Sequence, residues 1–310
     1  MLGSAPAPRP LKVGIQLPEV ERPSRWRDIL EMAQAAETAG FDSLWVADHL
    51  LYRDERHPGD VAPWEAWSLL AALAAATERV ELGPLVACTA FHNPAMLAKK
   101  AETIDEISDG RLILGLGAGW NEPEFAAYGF PYDHRLSRFT ESFAVIRGLL
   151  REGHIDLSGS YVSTQDCVLT PRGPRPGGLP IWLGTKGERM LRLCAEHADG
   201  WNAWYAWFGN DIARLPGLLA RVDAACMAAG RDPATLERSV ALLIRFPDLP
   251  DVTGYASADA VPIVGSLEEI ADVFRACAAL GVSHVQVVLD PNTSVAIAAL
   301  APVLNLLGRG

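Results

Sequence analysis

Excess positive charge is the first thing this sequence lacks. Its 27 Lys and Arg are outnumbered by 38 Asp and Glu, for a formal net charge of −11. Proteins that grip nucleic acid without sequence preference neutralise phosphates with basic patches, so that class is excluded. Any phosphate-bearing ligand must then be held by local amides and a few cations against an unfavourable global field. Long hydrophobic runs are missing too. The longest, residues 69–76, falls far short of the ~20 residues a membrane-spanning helix needs. Residues 1–10 are rich in Ala and Pro and carry no apolar signal core, which reads as a flexible tail on a cytoplasmic protein. Cysteine is sparse: Cys88, Cys167, Cys194, Cys226 and Cys277 form no C-x-x-C pair, and their odd number points to free thiols in a reducing compartment. The seven His residues show no paired ligand spacing, so no metal site is expected. No Ser/Gly linker or charge block divides the 310 residues, which reads as one domain over 1–310.

What is present is regular alternation. Short β-rich runs at 12–17, 43–47, 80–87, 111–116, 180–184, 200–204, 239–245 and 284–289 alternate with amphipathic stretches at 26–39, 64–76, 95–107, 138–151, 187–197, 211–229, 267–280 and 295–307. Eight strands alternating with eight helices predict a single (β/α)8 TIM barrel. Ser266 with Glu269 forms a capping-box pattern, and Gly40, Gly230 and Gly281 stand just past helix ends. Three connections, 50–63, 152–179 and 246–265, are too long to be plain turns, and the second reads as a small hairpin around Gly159. Insertions of this kind at the C-terminal face of a barrel build binding sites and lids.

The chemistry-bearing residues fall at predicted strand ends, where barrel enzymes keep their reacting groups. Asp48 and His49 follow strand 2, and an imidazole there can donate, accept or hydrogen-bond near neutral pH. A helix-capping Asp48 and a merely packed His49 fit the same residues. Gly115, Gly117, Ala118, Gly119 and Trp120 end strand 4, where small residues let a ring or phosphate approach the backbone. Their spacing is a poor dinucleotide fingerprint. Gly184, Thr185, Lys186 and Gly187 lead into a helix whose first amides could cradle an anion, or form an ordinary βα turn. Cys88 reads locally as a small buried hydrophobe. Trp204, Tyr205, Trp207 and Phe208 crown strand 6 as a substrate wall or the core of a lid.

Taken in order, Gly14–Pro18, Ala39–Trp45, Asp48-His49, Asn93-Pro94, Ile104–Arg111, Gly115–Trp120, Pro180–Gly184, Ala198–Asn202 and Gly265–Ile270 resemble the luciferase-like monooxygenase superfamily, in detail its coenzyme F420-dependent branch. The likeness spans residues 12–307. It implies hydride transfer between the deazaflavin F420 and a small organic substrate. It also implies a homodimer, and a cofactor ring at the C-terminal strand ends over a bulge with a non-proline cis peptide at Cys88–Thr89. Asp48 and His49 would face the reacting centre. Cys88, Thr89, Gly117, Ala118, Gly119, Trp120, Gly184, Thr185, Lys186 and Gly187 would line the cofactor. Lys186, Arg189, Arg135 and Arg138 are candidates for a basic rim toward its acidic tail. One departure stands out. Where sugar-phosphate and alcohol dehydrogenases of the branch carry a Glu after these glycines, this chain has Trp120, with Glu122 and Glu124 out of register. The resemblance also admits an FMN-dependent monooxygenase served by a partner reductase, and a catalytically silent flavin-binding barrel.

Overall fold

A computed structural model describes residues 9–53, 59–250 and 260–308. Most of the N-terminal tail, and parts of the connections 50–63 and 246–265, lie outside the described residues. In chain order the strands begin with β1 (Lys12–Gln16), β2 (Ser43–Val46), β3 (Glu81–Pro84), β4 (Ala87–Cys88) and β5 (Leu114–Gly117). They continue with β6 (His154–Ser158), β7 (Ser163–Val168), β8 (Ile181–Gly184), β9 (Gly200–Ala203), β10 (Glu237–Arg245) and β11 (His284–Asp290). The helices of the first half are α1 (Trp26–Ala39), α2 (Ala66–Ala76), α3 (Pro94–Ile107), α4 (Glu122–Tyr128) and α5 (Arg135–Glu152). Those of the second half are α6 (Glu188–His197), α7 (Leu215–Ala228), α8 (Leu267–Ala279), α9 (Ser294–Leu300) and α10 (Pro302–Leu307). Every expected strand and helix is present. The expected strand 80–87 is broken into β3 and β4, the last helix into α9 and α10, and α4 is additional.

The chain divides into two compact units, Met1–Trp45 with Thr185–Gly310, and Val46–Gly184. In the first, β1 pairs in parallel with both β2 and β11, and β10 pairs in parallel with β11 and β9. Parallel strands covered by helices on their outer side are apolar along most of their length, and β2, Ser239–Ile244 of β10 and all of β11 but Asp290 are buried accordingly. α1 turns Ile29, Met32, Ala33 and Ala36 inward at helical spacing. It ends at Gly40, which is left-handed with φ 93°. α8 starts at Ser266 with the expected reciprocal cap to Glu269. Beneath the sheet a polar chain runs through the core: the Trp45 indole N–H donates to Ser43 Oγ at 2.7 Å, which lies 2.6 Å from His284 Nε2.

In the second unit β5 pairs in parallel with β4 and β8. Arg111 joins its helices to its strands by donating to the carbonyls of Ala74, Thr77, Val80 and Ser108 and to the Thr77 hydroxyl. The long connection 152–179 does not crown the strand ends. It leaves the far end of α5, and its antiparallel hairpin β6–β7 lies back along that helix, where Glu141 accepts the amides of Ser160, Tyr161 and Val162. Its return path is anchored at the N-terminal side of β5, where Arg172 pairs with Glu102 and Arg175 with Asp105. A helix-to-strand connection begins at the N-terminal ends of the strands, opposite the site of chemistry, so this segment is no lid.

Candidate functional site

Asp48 and His49 follow directly from β2, and the structure gives them different surroundings. Asp48 is buried, with Oδ2 accepting the Cys88 amide at 2.9 Å and lying 2.9 Å from His92 Nε2. The Trp67 indole nitrogen also lies 3.2 Å from that Nε2. Asp48 thus fixes the turn after β4. The His49 side chain is 18% exposed and its Nδ1 lies 2.9 Å from Glu124 Oε1. A carboxylate accepts the Nδ1 proton and leaves Nε2 as the working nitrogen. Glu124 is 1% exposed, and its Oε2 also accepts the amides of Leu50 at 2.9 Å and Leu51 at 3.4 Å.

Glu124 is a candidate site residue that the sequence set aside. Alignment of the glycine run placed it out of register, yet α4 carries it inward. The signals were Pro123 in the first turn of a helix and the four-residue spacing of Glu124 and Tyr128, which put both on one face. Both side chains reach the same residue: Tyr128 Oη donates to the Leu50 carbonyl at 3.3 Å.

The glycines of strand 4 have an internal reason. A Cβ on Gly115 would fall 2.3 Å from the Pro84 carbonyl, and on Gly117 or Gly184 2.9 Å from Val86 Cγ2. These three residues make room for the Val86 side chain. Gly119 is left-handed at φ 75°, and a Cβ there would meet Cys88 Sγ at 2.5 Å. Cys88 packs with Phe91 and Phe125, and burial first, then the Asp48 charge, pushes its thiol far above the ordinary range. It is the small hydrophobe its local sequence suggested, and it is not a thiolate nucleophile. The buried Thr89 hydroxyl donates to the Gly117 carbonyl at 3.3 Å.

The cis peptide expected at Cys88–Thr89 is found instead at Leu85–Val86. Reading 80–87 as one unbroken strand set its end, and so its irregularity, too late. β3 stops at Pro84, and Thr89–Phe91 already forms a 3-10 turn.

Trp120 projects beside His49, with ring centroids 5.6 Å apart at 70°, while its carbonyl accepts the Tyr132 hydroxyl at 3.0 Å. Arg135, a candidate for the basic rim, donates to the Gly119 carbonyl at 2.6 Å and stacks on Tyr132. Arg138 turns to Asp133 and to the Tyr161 ring.

In the other unit, the Trp201 indole donates to the Thr185 carbonyl and Arg221 to that of Lys186, each at 2.7 Å. Gly187 caps α6 without a side-chain acceptor, and a Cβ there would meet nothing within 4 Å. An exposed helix start whose cap offers no side chain to the first amides fits an anionic group. Lys186 is exposed, its Nζ 5.7 Å from the Trp207 ring centre. Among the described residues, no helix is long and apolar enough to cross a membrane.

Residues 12–248 match the luciferase-like monooxygenase family. The F420-dependent hydroxymycolic acid dehydrogenase of Mycobacterium tuberculosis is 32% identical over 246 residues, 77% of this chain and 65% of that one. The F420-dependent glucose-6-phosphate dehydrogenase of Amycolatopsis mediterranei is 35% identical over 179 residues, 56% of this chain. The match spans 52% of the length of that enzyme, about half. An F420-dependent secondary alcohol dehydrogenase, solved with an F420–acetone adduct, superposes with a TM-score of 0.79 at 19% identity, covering 97% of this chain and 99% of its own. That likeness shows the fold to be the (β/α)8 fold read from the alternation of strands and helices. The chain belongs to the luciferase-like monooxygenase family.

Proposed function

We propose that this protein is an oxidoreductase that transfers hydride between coenzyme F420 and a small organic substrate, with His49 as its proton-transfer group. The observation that carries the reading is the His49–Glu124 pair: an imidazole at a strand end, partly open, held through Nδ1 by a buried carboxylate. The F420-dependent relatives support the choice of cofactor. The exposed first-turn amides of α6, with Thr185, Lys186 and Gly187, fit an anionic group such as its phosphate. A bound deazaflavin supplies a hydride held on carbon and reacts poorly with oxygen.

The chain's own residues supply position and a proton. Glu124 holds the Nδ1 proton, so that Nε2 of the neutral ring removes a proton in oxidation, and Nε2–H of the imidazolium, supported by the Glu124 charge, delivers one to a substrate heteroatom in reduction. Asp48 positions rather than reacts, since its buried oxygen is engaged by the Cys88 amide and His92.

Equilibrium binding of the purified protein to F420 and to FMN, each oxidised and reduced, tests the cofactor. Selective binding of F420 is expected. Selective binding of reduced FMN would replace this reading with an oxygen-using monooxygenase, the reaction in the family's name. His49→Ala should lower turnover by at least ~100-fold, within the range for general acid–base catalysis, while F420 affinity changes less than ~threefold. Equal losses in both would remove His49 from proton transfer.

A further inference from the structure

We propose that the face of His49 framed by Tyr52 and Trp120 receives a flat, conjugated ring that carries no negative charge; this assignment of substrate class rests on His49 being the proton-transfer group. Three rings converge there. The His49 and Tyr52 centroids lie 4.7 Å apart, His49 and Trp120 5.6 Å, and Tyr52 and Trp120 6.3 Å. Tyr52 is 9% exposed and its backbone is paired with Val61 on both sides. Trp120 is 57% exposed although the backbone around it is held on both flanks, by Arg135 on Gly119 and by Asn121, whose amide donates to the Leu51 carbonyl at 2.9 Å. A large indole kept in water on a fixed backbone is a standing cost, and it is relieved when a ring of similar shape covers it.

Charge narrows the class further. The groups that touch the imidazole and the adjacent turn are the carboxylates Glu124 and Asp48. Three described cations near these rings in sequence are engaged elsewhere: Arg53 pairs with Asp60, Arg111 donates to carbonyls around α2, and Arg135 holds the Gly119 carbonyl and the Tyr132 face. A phosphate or carboxylate placed against His49 would meet the Glu124 carboxylate at short range. A neutral conjugated ring meets the exposed Trp120 indole and one proton donor. Few polar groups in an aromatic frame is the usual composition of a site for such molecules.

The test is calorimetric titration with three matched probes, coumarin, coumarin-3-carboxylate and cyclohexanone, on the protein alone and with oxidised F420 present. Coumarin should bind at least tenfold more tightly than either of the others. Trp120→Ala should weaken coumarin at least tenfold and Trp120→Phe less than threefold. Coumarin-3-carboxylate binding as tightly as coumarin, no coumarin binding in either form, or a Trp120→Ala protein unchanged toward coumarin would overturn the proposal. So would a Trp120→Ala protein that loses coumarin and F420 together, since the indole would then serve the cofactor. Failure of F420 to bind the wild-type protein would sink the cofactor reading alone. The titrations without cofactor would still decide this one.

Discussion

At the scale of single residues, the proposed reaction turns on one carboxylate and one imidazole. Glu124→Gln keeps an oxygen that can accept the Nδ1 proton but removes the charge that supports a protonated ring. It should lower kcat at least tenfold with little change in KM, because the loss falls on the transition state rather than on binding. Glu124→Ala should do more, since the amides of Leu50 and Leu51 lose their acceptor; chemical denaturation should show an added loss of about 1–3 kcal/mol. His284 makes a separate prediction. Burial first, and the charge of Lys12 second, lower its pKa from 6.5 to about 3. The unfolded chain therefore binds a proton that the folded chain refuses. This contribution to stability is whole above pH 6.5 and is lost as pH falls from there toward 3. Its slope is at most ~1.4 kcal/mol per pH unit, and comparing urea midpoints of wild type and His284→Asn at pH 7, 6 and 5 isolates it from the carboxylates.

At the scale of elements, most of the architecture was legible because each strand and helix announces itself by period and cap. The α1 face, the Ser266–Glu269 cap and the glycine ends at Gly40 and Gly281 are local devices, and local devices can be read from sequence. The site was less legible. Val86 explains Gly115, Gly117 and Gly184, yet it lies about 30 residues from the first of them in sequence and nearly 100 from the last, and nothing local records the contact. Glu124 escaped for the same reason: its partners His49 and Leu50 stand 75 and 74 residues away. Arg111, which closes the Ile104–Arg111 segment of the family resemblance, belongs to structure rather than to chemistry. It serves the last carbonyls of α2, which have no partners within the helix. Arg111→Ala should therefore destabilise the protein by about 2–4 kcal/mol in denaturant unfolding. F420 affinity at temperatures where the variant stays folded should be unchanged, and a selective loss of cofactor binding would give Arg111 a role in the site.

At the scale of the whole molecule, the dominant number is the net charge of −11. An acidic protein and a cofactor with an acidic tail repel at long range, and salt screens that repulsion over about 8–10 Å at physiological strength. Stopped-flow association with F420 should therefore speed up as salt rises from ~20 to ~200 mM. A rate that falls with salt would mean that a local cationic rim dominates the approach. The Glu124 carboxylate has a consequence for redesign. With one oxygen it sets the imidazole, and with the other it holds the root of the loop that begins at Leu50. Ring tilt and loop position thus share a single fulcrum. Anyone who rebuilds that loop to admit a new substrate is also retuning the acid, so selection for substrate scope and selection for rate cannot be run as independent campaigns.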